Sequence, residues 1–161
     1  MMRRLAGLKI AAICFAFLAL AACSKKNTPD LEAGTNQAKP GSVQDFSINV
    51  GDRVYFLVDQ STLTPEGQET LRRQAQWLQQ YAGVTIQVEG HADERGTREY
   101  NISLSARRAT ATREFLIANG VDPNRISSIA YGKERPVALC DEEQCWSQNR
   151  RSVTVITGGT S

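Results

Sequence analysis

Residues 84–96 read VTIQVEGHADERG, and the other elements of the chain can be assigned relative to this segment. Val84, Ile86 and Val88 alternate with polar residues, which is the pattern of a strand with one buried face. The strand ends in a loop that contains Gly90 and Gly96. Loops at strand ends commonly carry ligand-contacting groups, so this loop is a candidate position for a binding site.

The residues before this strand predict a first strand and a first helix. Val54–Val58 is a dense apolar run of strand length, with β-branched and aromatic residues. Thr64-Pro65-Glu66 has the residues that begin a helix, namely an N-cap hydroxyl, a first-turn proline and an acid near the positive helix end. The helix ends near Gly83, and its predicted apolar face comprises Leu71, Ala75, Leu78 and Tyr81.

The residues after the loop predict a second helix and two more strands. The helix runs from Arg98 to Asn119, with Gly120 in the C′ position. Strands follow at 125–130 and 151–157, with a short helix between them, and the last strand has Val153, Val155 and Thr157 on one side. The predicted order is β-α-β-α-β-β. The predicted fold class is therefore α/β, an α+β sandwich in which helices cover one face of a four-stranded mixed sheet.

The first 22 residues have the features of a signal peptide. Arg3, Arg4 and Lys9 precede an apolar stretch, residues 10–22, that ends in Leu-Ala-Ala before Cys23. This stretch is shorter than the roughly 20 residues that cross a bilayer. Small residues before a cysteine resemble the bacterial lipoprotein box, so we expect cleavage after residue 22 and lipidation of Cys23. An ordinary signal peptide followed by an unrelated cysteine is the alternative.

The remaining chain begins with a linker and is almost neutral. Residues 23–47 are predicted to be a lipidated N-terminus and a flexible linker, because polar residues, Gly and Pro dominate and the apolar residues follow no period. Three of the 19 basic residues and none of the 17 acidic ones lie in the signal segment, so the remainder has a formal charge of −1. That balance gives no electrostatic case for binding nucleic acid or anionic lipid.

The cysteines agree with export. Cys140 and Cys145 lie five positions apart in a polar turn. In an oxidising compartment this spacing favours a local disulfide over free thiols. A metal site is not expected, because the sequence has one histidine and no third or fourth thiolate or imidazole ligand near the two cysteines.

Arg108 is unusual because it lies on the apolar side of the second predicted helix. At about 100° per residue it falls inside a stripe formed by Leu104, Ala111, Phe115 and Ala118. Burying an unpaired charge is costly, so a guanidinium that faces a sheet needs an anion. Asp93, at the end of the preceding strand, is the nearest candidate, and Asn101 lies close to the same line on the helix.

Two interpretations of these residues remain open. In one, Asp93 and Arg108 form a structural ion pair that fixes the loop to the helix. In the other, they form a site for a small zwitterion. Asp93 and strand-end carbonyls then bind an ammonium, and Arg108 binds a carboxylate through a two-pronged hydrogen bond. Ligands with both groups on one carbon are amino acids.

Longer motifs resemble a known family. They are GHADERGT at 90–97, EYN at 99–101, LS at 104–105, RRA at 107–109, YG at 131–132 and NRR at 149–151. Together they resemble the OmpA-like peptidoglycan-binding domain, and the resemblance extends from about residue 50 to 156. The folded domain is accordingly predicted to cover residues 48–158.

The resemblance implies peptidoglycan as the ligand, held noncovalently through the diaminopimelate of its stem peptide, and no cofactor. In the family pattern Asp93 and Arg108 match the two charged contacts, and Asn101 matches a polar neighbour. Asp59 matches an acidic rim position, and Arg150 matches a second basic residue.

The resemblance also implies partners and a location. It implies docking to TolB and other proteins of the Tol envelope system. Ser24, which follows Cys23, lacks the acidic character associated with retention at the inner membrane. The family therefore implies a lipid anchor in the outer membrane, with the domain facing the periplasm.

The sequence departs from the family pattern and leaves other functions open. Leu57 and Val58 stand where relatives commonly have an acid and an aromatic residue, which puts the contribution of the acidic rim in doubt. His91 near Asp93 and Ser105 would suit a hydrolase, although Ser105 lacks a nucleophile-elbow setting. Another OmpA-like envelope lipoprotein outside the Tol system is a further alternative. The two tryptophans suit either packing or sugar stacking.

Overall fold

The computed structural model describes residues 38–159. The predicted signal peptide, Cys23 and residues 23–37 of the predicted linker lie outside the described residues. In chain order the elements are α1 (Val43–Asp45) with a π-helical turn (Phe46–Val50), β1 (Arg53–Tyr55), α2 (Pro65–Gln80), β2 (Thr85–Gly90), α3 (Arg98–Ala118), a 3-10 turn (Pro123–Arg125), β3 (Ile126–Ala130), α4 (Glu143–Asn149) and β4 (Arg151–Gly158). No helix within this range has the length and apolar character needed to span a membrane.

The four strands form one mixed sheet in the order β1-β4-β2-β3. β4 pairs antiparallel with both β1 and β2, and β2 pairs parallel with β3. Parallel neighbours need a crossover connection, and α3 provides it. The predicted element order and the mixed four-stranded sheet are confirmed.

The helices pack on one face of this sheet. In β2, Ile86 and Val88 are buried, whereas Gln87 and Glu89 on the opposite face are only half-buried. The core comprises Phe46, Val54, Phe56, Leu71, Ala75, Trp77, Leu78, Val84, Ile86, Val88, Ala109, Leu116, Val121 and Ile126. The predicted apolar face of α2 is confirmed, and Thr64 caps the helix by accepting a hydrogen bond from the Gly67 N–H.

A close contact between β2 and α3 positions the loop that follows β2. A Cβ on Gly90 would overlap the backbone carbonyl of Ser105, so no other residue fits there without moving the helix. The Ser105 hydroxyl accepts a hydrogen bond from the Gly132 N–H at 2.9 Å, which ties the segment after β3 to the same turn of α3. The end of β2 is thereby held against the first half of α3.

The folded part begins earlier than predicted. The predicted linker extends to residue 47, but Phe46 is buried and packs on Trp77 with ring centroids 4.9 Å apart. Asp45 accepts hydrogen bonds from the Gly41 N–H at 2.9 Å and from Trp77 Nε1 at 2.8 Å. The linker prediction is wrong at this end because polar composition concealed one aromatic anchor and its hydrogen-bonded turn.

The first strand is shorter than predicted. β1 ends at Tyr55, and Leu57 and Val58 are exposed. The chain turns instead, since the Gln60 N–H donates to the Leu57 carbonyl at 3.2 Å and Asp59 adopts a left-handed φ of 57°. An apolar run alone does not distinguish a strand from an exposed turn.

The buried face of α3 also differs from the prediction. Ala111 and Phe115 are half-buried and Ala118 is exposed, so the apolar stripe is wrong at those positions. Small residues let α3 approach the sheet, and the buried face comprises Asn101, Leu104, Ser105, Arg108, Ala109, Thr112 and Leu116. In β4, Val153 and Val155 lie on one face, as predicted, and the opposite, helix-facing side carries Ser152 and Thr154.

Candidate ligand-binding site

A cavity of about 350 Å³ lies between the turn after β1, the loop after β2 and the first half of α3. It is lined by Val58, Asp59, Asp93, Arg95, Gly96, Tyr100, Asn101, Leu104 and Arg108. Four of the five predicted ligand-binding residues are among these. The fifth, Arg150, does not line this cavity.

Arg108 is fully buried and is held by backbone carbonyls. Nε donates to the Gln60 carbonyl at 2.8 Å, Nη1 to the His91 carbonyl at 2.9 Å, and Nη2 to the Leu57 carbonyl at 3.1 Å. A guanidinium has five N–H donors, so these bonds leave one N–H on each terminal nitrogen. Burial lowers the Arg108 pKa to about 10, partly offset by the charge of Asp93, and the side chain stays charged at neutral pH.

Arg108 and Asp93 do not form the direct ion pair that one interpretation of the sequence proposed. Within residues 38–159 the ion pairs of Asp93 are with Arg95 and Arg150. The predicted partner of Arg108 is wrong, because side-chain anions are not the only groups that can bind a buried guanidinium. Carbonyl oxygens can stabilise a buried guanidinium without neutralising its charge.

Each carboxylate oxygen of Asp93 accepts two hydrogen bonds. Oδ1 accepts from the Arg95 N–H at 3.2 Å and from Arg95 Nε at 3.1 Å. Oδ2 accepts from Arg95 Nη2 at 2.7 Å and from Arg150 Nη1 at 3.3 Å. Burial raises the pKa of Asp93, but the hydrogen bonds from Arg95 and Arg150 outweigh it and hold the pKa below its usual value. Asp93 is therefore a carboxylate at neutral pH.

Arg150 lies behind Asp93 and has a different environment. Its side chain donates to the Phe56 carbonyl at 3.1 Å and forms an ion pair with Glu143 at the start of α4. Arg150 also borders a second cavity of about 660 Å³ that is lined by β1, the start of α2 and α4. Its charge is balanced by two carboxylates, so Arg150 supports Asp93 rather than facing the smaller cavity.

Asn101 and Asp59 both line the cavity. Asn101 is buried, and its Nδ2 donates to the Arg95 carbonyl at 2.8 Å, which fixes the loop to α3. Asp59 lies on the exposed turn after β1 and accepts a hydrogen bond from the Tyr100 hydroxyl. This bond joins the turn after β1 to α3. The predicted rim position of Asp59 therefore lies at the cavity, with Tyr100 as its partner.

Arg95, Tyr100 and Trp146 were not among the predicted ligand-binding residues. Tyr100, Leu104 and Arg108 follow one another at four-residue intervals along α3, so the helical period could have placed Tyr100 beside the cavity. Arg95 lies with its guanidinium 4.1 Å from the centroid of the Trp146 ring. No spacing connects Trp146 to residue 95, because the contact depends on how α4 returns to the loop.

The residues that would suit a hydrolase are not arranged as one. The Ser105 hydroxyl donates to the Ile102 carbonyl at 2.9 Å and accepts from the Gly132 N–H. The buried His91 ring stacks on Tyr131 at 5.5 Å, and neither of its nitrogens has a hydrogen-bond partner among the described residues. Burial and the charges of Arg151 and Arg135 lower the His91 pKa to about 4. Ser105 and His91 therefore do not form a hydrogen-bonded nucleophile and base.

The remaining predicted features lie outside the cavity. Trp77 packs between Phe46 and Tyr81 in the core. Cys140 and Cys145 form a disulfide with their Cα atoms 5.6 Å apart, immediately before and within α4. The described residues contain no cluster of His, Cys, Asp and Glu that would hold a metal ion.

Comparison with known proteins gives concordant matches. A family model described as the OmpA family matches residues 55–150. The peptidoglycan-associated lipoprotein of Brucella melitensis is 57% identical over 154 residues, which cover 92% of this chain and 92% of that protein. The peptidoglycan-associated lipoprotein of Pseudomonas aeruginosa is 39% identical over 157 residues, covering 89% and 93%.

A solved structure matches the described fold. The crystal structure of the peptidoglycan-associated lipoprotein from Burkholderia pseudomallei superposes with a TM-score of 0.67 at 35% identity. The match covers 71% of this chain and 98% of the other. The sequence and structure comparisons therefore agree.

Proposed function

The chain belongs to the OmpA family, and on this premise we propose that it is a lipoprotein that binds peptidoglycan noncovalently. The proposed point of attachment is the diaminopimelate of the stem peptide, whose far end keeps a free ammonium and a free carboxylate. The names of the similar proteins support the ligand class, and the cavity supports the particular chemistry.

The observation that carries this proposal is the pair of opposite charges on one cavity. Arg108 keeps its full positive charge there, because its three partners are neutral carbonyls, and it retains two N–H groups for a carboxylate. Asp93 lines the same cavity and carries a negative charge, which Arg95 and Arg150 balance in this structure. An amino acid with a free ammonium and carboxylate complements both charges.

We propose that the cavity widens when the ligand binds. Arg108 lines the cavity but has no solvent-exposed surface, and it bonds to two carbonyls of the turn after β1, so movement of that turn would expose it to a ligand carboxylate. The hydrogen bond between Tyr100 and Asp59 holds that turn to α3. Both residues are exposed, and Leu57 and Val58 beside them are exposed as well, so little burial opposes the movement.

Titration of the purified chain with a diaminopimelate stem peptide tests the proposal. A peptide with lysine in place of diaminopimelate lacks the distal carboxylate and should bind at least about tenfold more weakly, as expected for one charge-assisted contact. Arg108→Lys should weaken binding because a point charge loses the two-pronged geometry. The matched control is Arg107→Lys, since Arg107 is exposed and its side chain donates to the Ser103 hydroxyl rather than lining the cavity. Equal affinity of the two peptides would contradict the proposal.

The anchoring role is also a proposal. Lipidation of Cys23 would attach the chain to the outer membrane, and the domain in the periplasm would hold the cell wall to that membrane as part of the Tol–Pal system, which acts in envelope integrity and constriction at division. Cys23→Ser should give an unprocessed or soluble form on membrane fractionation. Capture of TolB by the wild-type chain would support membership of the system, and failure to capture it would favour a different OmpA-like lipoprotein.

We propose a binding role without catalysis. The Ser105 hydroxyl is engaged by Ile102 and Gly132 and is not activated by His91. Incubation with isolated sacculi should therefore sediment the protein with the cell wall and release no muropeptides. Soluble muropeptides that disappear with Ser105→Ala would favour a hydrolase instead.

A further inference from the structure

We propose that Arg95 is a resident counter-ion of Asp93, which the ligand's ammonium must displace. Arg95 keeps the empty site electrically paired and lowers the affinity for the ligand. This inference rests on the proposed function, because it takes Asp93 as the residue that receives the ammonium. Arg95 is a positioning residue on this view and not part of the ligand's own contacts.

The first step is that Asp93 has no free acceptor position. A carboxylate offers about four lone-pair positions. Arg95 occupies three of them, through its backbone N–H, its Nε and its Nη2, and Arg150 occupies the fourth. An ammonium that approaches Asp93 therefore has to replace one of these donors.

The second step is that the Arg95 side chain is the donor that leaves. It is 40% exposed, whereas the Arg150 side chain is 5% exposed. Arg150 is also bonded to the Phe56 carbonyl and to Glu143, so moving it would disrupt buried contacts. An ion pair near solvent contributes little, so moving the Arg95 side chain is the cheaper exchange.

The third step is that the displaced guanidinium has somewhere to go. It already lies over the face of Trp146, 4.1 Å from the ring centroid. Trp146 is held in turn by a 2.7 Å hydrogen bond from its Nε1 to Glu94, which puts a carboxylate beside the ring. The backbone of Arg95 stays fixed, because its carbonyl accepts from Asn101. The side chain can therefore turn away from Asp93 while the loop remains in place.

The exchange replaces one cation on Asp93 with another, so the buried carboxylate is paired before and after binding. A ligand with an acylated amine brings no cation and leaves Arg95 where it is. Removal of Arg95 should therefore strengthen the binding of a ligand with a free ammonium and should not strengthen the binding of its acylated counterpart.

The test is a calorimetric titration of the full chain in detergent with two probes: a stem tripeptide that ends in meso-diaminopimelate, and the same peptide acetylated on its distal amine. Arg95→Ala should bind the free amine about twofold to fivefold more tightly than the wild type, as expected from removing one exposed ion pair. Arg98→Ala is the matched control. It removes the same charge from an exposed arginine that pairs with Glu134 instead.

The outcomes separate this inference from the proposed function. Unchanged or weaker binding of the free amine by Arg95→Ala overturns the inference, as does equal tightening by Arg98→Ala. If the wild type fails to distinguish the two probes and Asp93→Asn binds as the wild type does, the proposed function itself fails. If Asp93→Asn loses binding while Arg95→Ala does not gain it, only the role of Arg95 is wrong.

Discussion

Arg108 and Arg150 are two buried arginines that reach the same short segment after β1 from different elements. Arg108, on α3, donates to the carbonyls of Leu57 and Gln60, and Arg150, at the end of α4, donates to the carbonyl of Phe56. The remaining partners differ. Arg150 pairs with two carboxylates, whereas the third partner of Arg108 is another backbone carbonyl.

This difference separates a binding charge from a structural charge. Carboxylates cancel the charge of Arg150, so little of it is left to attract an anion. Carbonyl dipoles satisfy the hydrogen bonds of Arg108 and leave its net charge in place. A buried arginine with carbonyl partners is therefore the better candidate for binding a carboxylate, even though both residues were predicted to contact the ligand.

The largest effect is expected from Arg108→Ala. The substitution removes three hydrogen bonds that a buried charged donor makes to backbone carbonyls, and each such bond contributes on the order of 1 kcal/mol or more. The free energy of unfolding should fall by about 3 kcal/mol or more, with loss of ligand binding. Urea denaturation measures the first effect and sacculus sedimentation the second.

The control for this substitution is Arg107→Ala on the exposed side of the same helix turn, which should change stability by less than about 0.5 kcal/mol. Native stability of Arg108→Ala would mean that the three carbonyls find water, and the contrast with Arg150 would lose its basis.

The second largest effect is expected from protonation of His91, whose backbone contacts Arg108. The His91 carbonyl accepts from Arg108, and its ring is buried with a pKa of about 4. Glu89, 3.5 Å from Nε2, favours protonation, but burial and the charges of Arg151 and Arg135 oppose it.

The pKa of His91 in the folded protein lies below its ordinary value of about 6.5. The contribution of His91 to stability is therefore fully present above about pH 6.5, and it is lost as the pH falls towards 4. The expected loss between pH 7 and pH 4 is about 3 kcal/mol in the free energy of unfolding. The sequence has a single histidine, so His91→Phe should remove this dependence. A wild-type curve that is flat from pH 7 to pH 5 would contradict the prediction.

The fold was predictable where local signals are strong. Thr64 and Pro65 begin α2, and Gly120, with a φ of 92°, follows α3 within two residues of its end. These residues encode helix ends through capping and backbone freedom, which depend on near neighbours. β1 was predicted to end three residues too late, at Val58 instead of Tyr55, because Leu57 and Val58 are apolar residues on an exposed turn.

The candidate site was predictable in its members more than in its contacts. Arg108 was predicted as a site residue because it is a charged residue within a predicted apolar stripe. Asp93 was predicted because it follows the end of β2. The contacts of Arg108 with backbone carbonyls carry no residue signature, so the sequence assigned it the wrong partner. Arg95 and Trp146 meet because α4 returns to the loop after β2, a long-range contact that no periodicity encodes.

Arg150→Ala should give a smaller loss of stability than Arg108→Ala. It removes a bond to the Phe56 carbonyl and two ion pairs, but Asp93 keeps Arg95 and Glu143 is exposed. We expect a loss of about 2 kcal/mol, below the cost of leaving a buried charge wholly unpaired.

The informative measurement is the affinity of the Arg150→Ala variant for the stem peptide, which should remain within about threefold of the wild type, since only indirect support of Asp93 is lost. Arg53→Ala, which removes an exposed arginine paired with Asp52, controls for the change in charge. If Arg150→Ala loses binding as completely as Arg108→Lys, both arginines contact the ligand and the distinction drawn from their partners fails.

Removing the disulfide should have the smallest effect on ligand affinity. It tests whether α4, which leads into Arg150, influences the cavity. Cys140 and Cys145 close a short loop at the start of α4, which carries Glu143 and leads into Arg150. Replacing both cysteines by serine should lower the free energy of unfolding by about 2 kcal/mol, the chain-entropy value for so short a loop. Affinity for the stem peptide should change less than twofold, because Arg108 is held by elements outside this loop. A larger loss of affinity in a variant that is still folded would show that α4 influences the cavity through Arg150. Arg150 and Arg108 would then not act independently.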